Sequence, residues 1–425
     1  MREDVLQFIW QTQSFNKAQL ITTNGDDVRI LNQGVLNSDS GPDFSSARIK
    51  IDGIEWVGDV EIHTSSSAWK THNHHLDSAY NKVILHVVWE HDKEVLRLDK
   101  SSIPTVTLSQ LVSKEWLEKY NQLSTSLQTI PCEAFFPGID PVYKLDAFNK
   151  ALVERLQRKA EGVLEDLELH KGDWEQVAIN LLFEYFGFKK NNEAFKHLAS
   201  IIDIKILRKL SSVKQIEAYL LGMAGLLVGS TKGQSYQKEL ASEFEWLRTK
   251  YRLQSEPMTS AWWKFMRMRP ANFPTIRMAQ LAAVLNKQKH FFQSLLEVSP
   301  EDAKSFFKVR QSEFWLSHYH FNKEARTRIK GMGDQSARVL SINVAGVLLV
   351  AYGRYTGNDA FIDKAITFLE KLNAEDNKII RIWNDLDIKP MNAAESQGAI
   401  ELFNNYCNQR RCLSCNIGRQ VLKPE

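Results

Sequence analysis

The sequence predicts an α+β protein, in which an N-terminal α/β domain precedes a larger all-α domain. Between Gly25 and Trp89 the apolar residues fall on every second position and glycines punctuate the runs, as strands require. From about Tyr143 onward the apolar spacing changes to the 3.6-residue period of helices. Length agrees with more than one unit, because 425 residues exceed the roughly 100 to 200 of an ordinary domain.

The first element is a helix over residues 4–13, where Val5, Leu6, Phe8, Ile9 and Trp10 follow helical spacing. Strands come next, separated by Gly25, Gly34, Gly41 and Gly53. Ala47 to Asp52 and Val57 to His63 both alternate, whereas Val83 to Trp89 is continuously apolar and reads as a strand buried on both faces. Residues 1–125 form the expected α/β domain. The proline-bearing segment from Ser113 to Pro141, with Pro131 and Pro137, holds the expected connection over 126–142. Residues 143–425 form the expected helical domain, read from Phe148, Leu152, Leu156 and Val163, then Ile276 to Leu285 and Leu340 to Ala351.

Composition bounds the function classes. With 43% hydrophobic and 25% charged residues the chain has ample material for packed cores, which excludes a disordered protein. Met1-Arg2-Glu3-Asp4 puts acids where a secretory leader is basic and then apolar, and the longest apolar run, Ile342 to Tyr352, is too short for a bilayer. A cytoplasmic protein with no membrane partner is expected, in a compartment where disulfides do not persist. The net charge of +3 hides an asymmetry. Residues 1–140 carry 12 Lys and Arg against 19 Asp and Glu, net −7, and the remainder carries 42 against 32, net +10. An acidic front end suits a cation and a basic body suits a polyanion, although ordinary two-domain proteins show similar splits.

The front end contains the groups that metal-assisted phosphodiester cleavage needs: carboxylates for a divalent ion, and a polar group to orient or activate water. They occur in Gly41-Pro42-Asp43-Phe44 and in Gly58-Asp59-Val60-Glu61-Ile62-His63. Strand alternation places Asp59, Glu61 and His63 on one face, a costly arrangement unless something binds there. The plainer alternative has Asp43 capping a turn and the two acids on a solvated strand face.

A Pro-Asp pair, a strand hairpin and an acid-apolar-X triplet, all after a helix, resemble the PD-(D/E)XK nuclease superfamily. The resemblance implies a restriction-endonuclease-like fold, a central mixed sheet flanked by helices. It implies Mg²⁺ or Mn²⁺ held by Asp43 and Glu61, with Asp59 assisting, and nucleic acid as substrate, DNA favoured over RNA. It places His63 where the superfamily has its catalytic lysine. An imidazole is a weaker permanent cation than an ammonium but serves as base or ligand. Lys50 and Lys82 are the candidates for a displaced lysine, and Glu3 or Asp4 for a further ligand.

Six of the eleven histidines, His63, His72, His74, His75, His86 and His91, fall between residues 63 and 91. His72-Asn73-His74-His75-Leu76-Asp77 offers the donors that zinc, manganese or iron take. It invites comparison with the His-x-His-x-Asp-His motif of metallo-β-lactamase-fold hydrolases, from which its order differs. The economical expectation is that His72 or His74 approaches the Asp43 and Glu61 site as a metal or phosphate ligand, while His86, inside the apolar strand, is a core histidine.

The four cysteines are Cys132, Cys407, Cys412 and Cys415, the last three spaced C-x4-C-x2-C. Four thiolates suit a structural zinc ion or a [4Fe-4S] cluster, and the nearby Arg410, Arg411 and Arg419 are expected to lower their pKa values. Buried free thiols are the alternative. The N-terminal pattern together with Cys412-Leu413-Ser414-Cys415-Asn416-Ile417-Gly418 resembles, over the whole chain, a bacterial family known as a domain of unknown function. That resemblance implies a bacterial cytoplasmic protein and no particular activity.

In the helical part Trp262 to Pro274 interleaves aromatics with Lys264, Arg267 and Arg269, and Arg277 follows. This suits nucleic-acid contact through Arg267, Arg269 and Arg277, or equally a helix end with core aromatics and solvated arginines. Lys330-Gly331-Met332-Gly333-Asp334 offers amides to an anion, or is simply a turn. The expected function is a divalent-metal-dependent nuclease or phosphodiesterase. The alternatives are an inactive nuclease-fold module that binds nucleic acid or protein, and a histidine-rich metal hydrolase acting on a non-nucleic substrate.

Overall fold

A computed structural model describes residues 1–37, 39–227 and 235–423. The chain divides into two compact units, Met1–Ala147 with Leu402–Glu425, and Phe148–Glu401. The expected grouping of 143–425 as one domain is corrected at its end, since the cysteine-bearing C-terminal segment belongs with the N-terminal unit. Side-chain contacts explain this. The Arg419 guanidinium lies 5.8 Å from the Phe8 ring centre, Arg410 donates to the Gln128 carbonyl, and Asn416 bonds Asp146.

The first unit opens with α1 (Glu3–Thr12), whose Val5, Leu6, Phe8, Ile9 and Trp10 are all buried. Strands β1 (Val28–Asn32), β2 (Val35–Leu36), β3 (Phe44–Ile51) and β4 (Ile54–Ser65) follow, then the short α2 (Ala68–Thr71), β5 (Val83–Glu90), β6 (Thr105–Thr107) and α3 (Lys114–Thr125). They form a six-stranded mixed sheet of order β1-β3-β4-β5-β6, with β2 beside β3. Helix α3 ends just before the expected connection over 126–142 and is capped where the Ser113 hydroxyl accepts from Trp116 N.

Two features of this sheet position the residues that follow. Strands β3 and β4 are an antiparallel hairpin turned by Asp52 and Gly53, both at positive φ (45° and 83°), the conformation a tight hairpin demands. Strand β5 then runs parallel to β4, pairing with it only from Asp59 to Ser65. A parallel neighbour needs a crossover, and the histidine-rich residues 66–82 supply it. The outer half of β4 is exposed at Ile54, Trp56 and Val57, whereas Val60, Glu61, Ile62 and His63 are buried. Val83 to Val88 of β5 are buried on both faces, as the continuous apolar run predicts.

The second unit is helical. Helix α4 (Pro141–Leu169) carries Leu152, Leu156 and Val163 into a core shared with α5 (Trp174–Phe186) and α6 (Phe188–Ile201). Two largely buried helices, Pro274–Lys287 and Asp334–Thr356, run through that core. The second is long and apolar enough to cross a membrane by length and composition, yet 78% of its apolar window is buried inside the protein, so it serves as a core helix. The expectation of a purely helical unit needs one correction. His318–His320 and Lys323–Glu324 form a small antiparallel pair around buried Phe321, too short to register as a period-2 pattern.

Candidate metal centre

Glu61 and His63 are neighbours on one face of β4, separated by Ile62, which points the other way. The crossover brings His72 and His74 over them. His63 Nε2 lies 3.1 Å from His72 Nδ1 and 3.4 Å from Glu61 Oε1, and His74 Nε2 lies 3.2 Å from the same oxygen. The donor atoms of His63, His72 and His74 all fall within 4.8 Å of one another. Two donors bound to one ion at about 2.0–2.2 Å stand about 2.9–3.5 Å apart in tetrahedral or octahedral geometry. All three contacts have that length.

The supporting contacts hold these rings in place. His63 Nδ1 meets His86 Nε2 at 2.9 Å, so with the proton on Nδ1 its Nε2 lone pair faces His72 and Glu61. His86 is fully buried, as expected of a core histidine, but one ring nitrogen is engaged with His63 and the other has no hydrogen-bond partner among the described residues. His74 stacks on Tyr80 with ring centres 3.8 Å apart, and Trp69 lies edge-on to it. His74 Nε2 is buried without a hydrogen-bond partner among the described residues, close to Glu61 Oε1 yet misaligned for a hydrogen bond. An unpartnered donor atom at that distance is what a ligand position looks like. His72 is exposed and opens the cluster to solvent.

The proximity of imidazole and carboxylate does not make these contacts salt bridges. Burial, with the other imidazoles adding to it, pushes His63 down to about 2 and His74 down to about 4. Burial and the Asp43 charge push Glu61 up to about 9. At neutral pH the two imidazoles are uncharged and the Glu61 carboxyl holds its proton, so the short distances are not ion pairs; a bound cation would displace that proton and leave Glu61 as a carboxylate ligand. Neutral imidazoles are the ligating form.

Asp43 stands at the start of β3 against the same carboxylate. Its backbone N–H donates to Glu61 Oε2 at 3.0 Å, while its own oxygens accept from Gln7 Nε2 at 2.8 Å and Ile62 N at 3.0 Å. Burial pushes its carboxyl up to about 6, against the lowering effect of the Ile62 bond. The expected Asp43, Glu61, His63, His72 and His74 are thus brought together. Asp59 is not. Strand β3 carries an extra residue opposite it, with Ser46 at φ 58°, and Asp59 Oδ1 accepts from Ser46 N at 3.2 Å, which ties the bulge. Simple alternation overlooked that bulge. Lys50 and Lys82 are exposed, and Asp4 pairs with Arg2, whereas the charge of Glu3 is felt by both Asp43 and Glu61.

Residues 3–378 match the family described as protein of unknown function (DUF2851). The chain belongs to this family. No curated protein and no solved structure matches it.

The DUF2851 chain has a second cluster of donors in the same unit. Cys132, Cys407, Cys412 and Cys415 carry no disulfide, and the four thiols act electrostatically on one another. The expected lowering of their pKa values by arginine is overturned. Burial, and then repulsion among the thiolates, pushes Cys132 up to about 12 and Cys412 up to about 11, and holds Cys407 well above the ordinary thiol range, with Arg410 only partly offsetting this at Cys407 and Cys412. Arg411 instead lies over the Tyr406 ring at 5.3 Å, and Arg419 donates to the Leu413 carbonyl. In the helical unit Arg267 and Arg269 are exposed, but Arg277 is only 6% exposed and so is not a solvated helix-end arginine. Gly331 packs against the Val309 carbonyl, 2.5 Å from where a Cβ would stand, so the Lys330 to Asp334 segment is a closely packed turn.

Proposed function

We propose that this protein is a divalent-metal-dependent phosphodiester hydrolase acting on nucleic acid, DNA before RNA. The observation that carries the reading is the convergence of Glu61 Oε1, His63 Nε2 and His74 Nε2, with His72 Nδ1 beside them, at ligand-to-ligand separations. Glu61, His63, His72 and His74 would hold the ion. When bound, it supplies the positive charge that stabilises the phosphorane-like transition state and acidifies water. His86 fixes the His63 ring, and Tyr80 and Trp69 fix His74. Asp43, near neutrality and anchored by Gln7 and Ile62, accepts the proton of the attacking water.

Support for a phosphodiester substrate comes from the Pro42-Asp43, hairpin and Glu61-Ile62-His63 arrangement, which on a mixed sheet after a leading helix fits the restriction-endonuclease-like reading. Of the two ions that reading implies, Mn²⁺ suits three imidazoles better than Mg²⁺, which prefers oxygen donors, and zinc or iron(II) suits them equally. The four cysteines would hold a separate structural zinc ion or [4Fe-4S] cluster, whose cations reverse the mutual repulsion of the thiolates. Cleavage of labelled single- and double-stranded DNA and RNA with Mn²⁺, Mg²⁺ or Zn²⁺ tests the proposal. We expect cutting that EDTA stops and that Asp43→Ala and Glu61→Ala abolish; absence of cutting by folded, metal-loaded protein would refute it. The histidine-rich donor set also favours a second reading, an imidazole-centred hydrolase of a non-nucleic ester. In that case metal binds but no nucleic acid is cut.

A further inference from the structure

The helical unit contains a buried cation without a counter-charge among the described residues. Arg277 sits in the first turns of the Pro274–Lys287 helix, 6% exposed. Its guanidinium donates to Gln280 Oε1, Asn272 Oδ1 and Ser336 Oγ, all neutral, and lies 4.1 Å from the Phe188 ring centre. Its Nε is buried with no hydrogen-bond partner among the described residues. Among the described residues no carboxylate forms an ion pair with it, and burial alone lowers its pKa to about 10. A buried charge left in this state is unfavourable unless an anion completes it.

Arg277 lines a cavity of about 420 Å³ whose wall also includes Lys189, Lys190, Arg267 and Arg269 and not one Asp or Glu. The wall is a shaped one. Phe188 and Arg267 both adopt the left-handed conformation, at φ 48° and 55°, and α6 is broken at Asn191. The Asn191 side chain holds that break by a reciprocal pair of bonds to the Lys264 backbone, at 2.8 and 3.1 Å. Gly187 permits it, since a Cβ there would stand 2.4 Å from the Asn191 carbonyl. Lys190 Nζ donates to the Arg267 carbonyl at 2.8 Å and fixes the loop that presents Arg267 and Arg269. Strained backbone held by specific bonds concentrates at ligand sites.

We propose that this cavity binds a phosphorylated small molecule, of the size of a nucleoside monophosphate or diphosphate, whose phosphate supplies the missing counter-charge to Arg277. The volume falls in the range of small-molecule sites, and a guanidinium backed by neutral partners suits a phosphate group. This site is independent of the His63 cluster.

The test is calorimetric titration of the full-length protein with pyrophosphate, a nucleoside monophosphate, a nucleoside diphosphate and a short oligonucleotide. The proposal expects saturable binding, one ligand per chain, to at least one of the small phosphates. Lys189→Ala with Arg269→Ala, both on exposed residues that leave the fold intact, weakens binding tenfold or more. Arg277→Gln removes it. His63→Ala leaves it unchanged, which separates this site from the metal centre. Three outcomes would overturn the proposal: no saturable binding of any small phosphate, equal affinity in the Lys189 and Arg269 double variant, or binding of the oligonucleotide alone, which would make the pocket part of a nucleic-acid track.

Discussion

Replacing Glu61 with glutamine separates its two roles, buried packing group and metal ligand. In EDTA at neutral pH, Glu61→Gln should be as stable as wild type. Burial already holds Glu61 uncharged by pushing it up to about 9, and the amide has the same shape. With metal the two proteins diverge. At a metal concentration a hundredfold above Kd, wild type gains about 2.7 kcal/mol. Removing the one carboxylate of the donor set weakens binding at least about 100-fold, the upper end of what supporting groups alone contribute. At the same concentration the variant then gains only about 0.4 kcal/mol. The difference of about 2.3 kcal/mol corresponds to roughly 5–9 °C in the unfolding temperature of a unit this size. Thermal unfolding with EDTA and with Mn²⁺ or Zn²⁺ measures both quantities. An equal metal-induced shift in the two proteins would show that Glu61 is no ligand, and the geometric reasoning from ligand separations would fail with it.

Other consequences are more local. Gly58→Ala should destabilise the first unit by about 2–3 kcal/mol in urea titrations, because its Cβ would stand 2.4 Å from the Lys82 carbonyl and 2.5 Å from Ile84 Cγ2, where β4 meets β5; a loss below about 0.5 kcal/mol would contradict the tight pairing. Burial, with Arg155 and Arg158 adding repulsion, pushes Lys159 down to about 7. From pH 7 up to the ordinary lysine range the unfolded chain keeps a proton the folded chain has released, so stability rises with pH, by at most about 1.4 kcal/mol per pH unit. Lys159→Met should remove that slope in denaturant titrations at pH 7 and 9, and parallel slopes in the two proteins would refute it. Cys412→Ser should strip zinc, or iron and sulfide, from anaerobically purified protein without changing metal binding at the histidines; sulfur-site metal retained in full would leave the thiols as packing groups.

Much of the first unit was legible because its signals are local. The α1 face, the alternation of β3 and the doubly buried β5 each follow from side-chain period alone. The histidine excess between residues 63 and 91 marked the site, and Glu61 and His63 were readable as neighbours on one strand face. What sequence did not disclose depends on pairing partners. Asp59 is engaged by Ser46 N at the β3 bulge, and a bulge is a property of two strands together. Gln7, Tyr80 and Trp69 became supports of Asp43 and His74 through contacts across the chain that no spacing encodes. Arg277 looked like one more basic residue near an aromatic run, and only its burial among neutral partners sets it apart.

X-ray absorption at the metal edge of Mn²⁺- or Zn²⁺-loaded protein, with metal content determined on the same sample, tests the central claim most directly. Because the cysteines form a separate donor set, the Cys412→Ser variant is the appropriate sample. We predict one ion per chain in a shell of nitrogen and oxygen at about 2.0–2.2 Å, with the outer-shell scattering of several imidazoles, and its loss in a further His72→Ala change. An empty protein, or a shell without imidazole, would contradict a metal centre at Glu61, His63, His72 and His74.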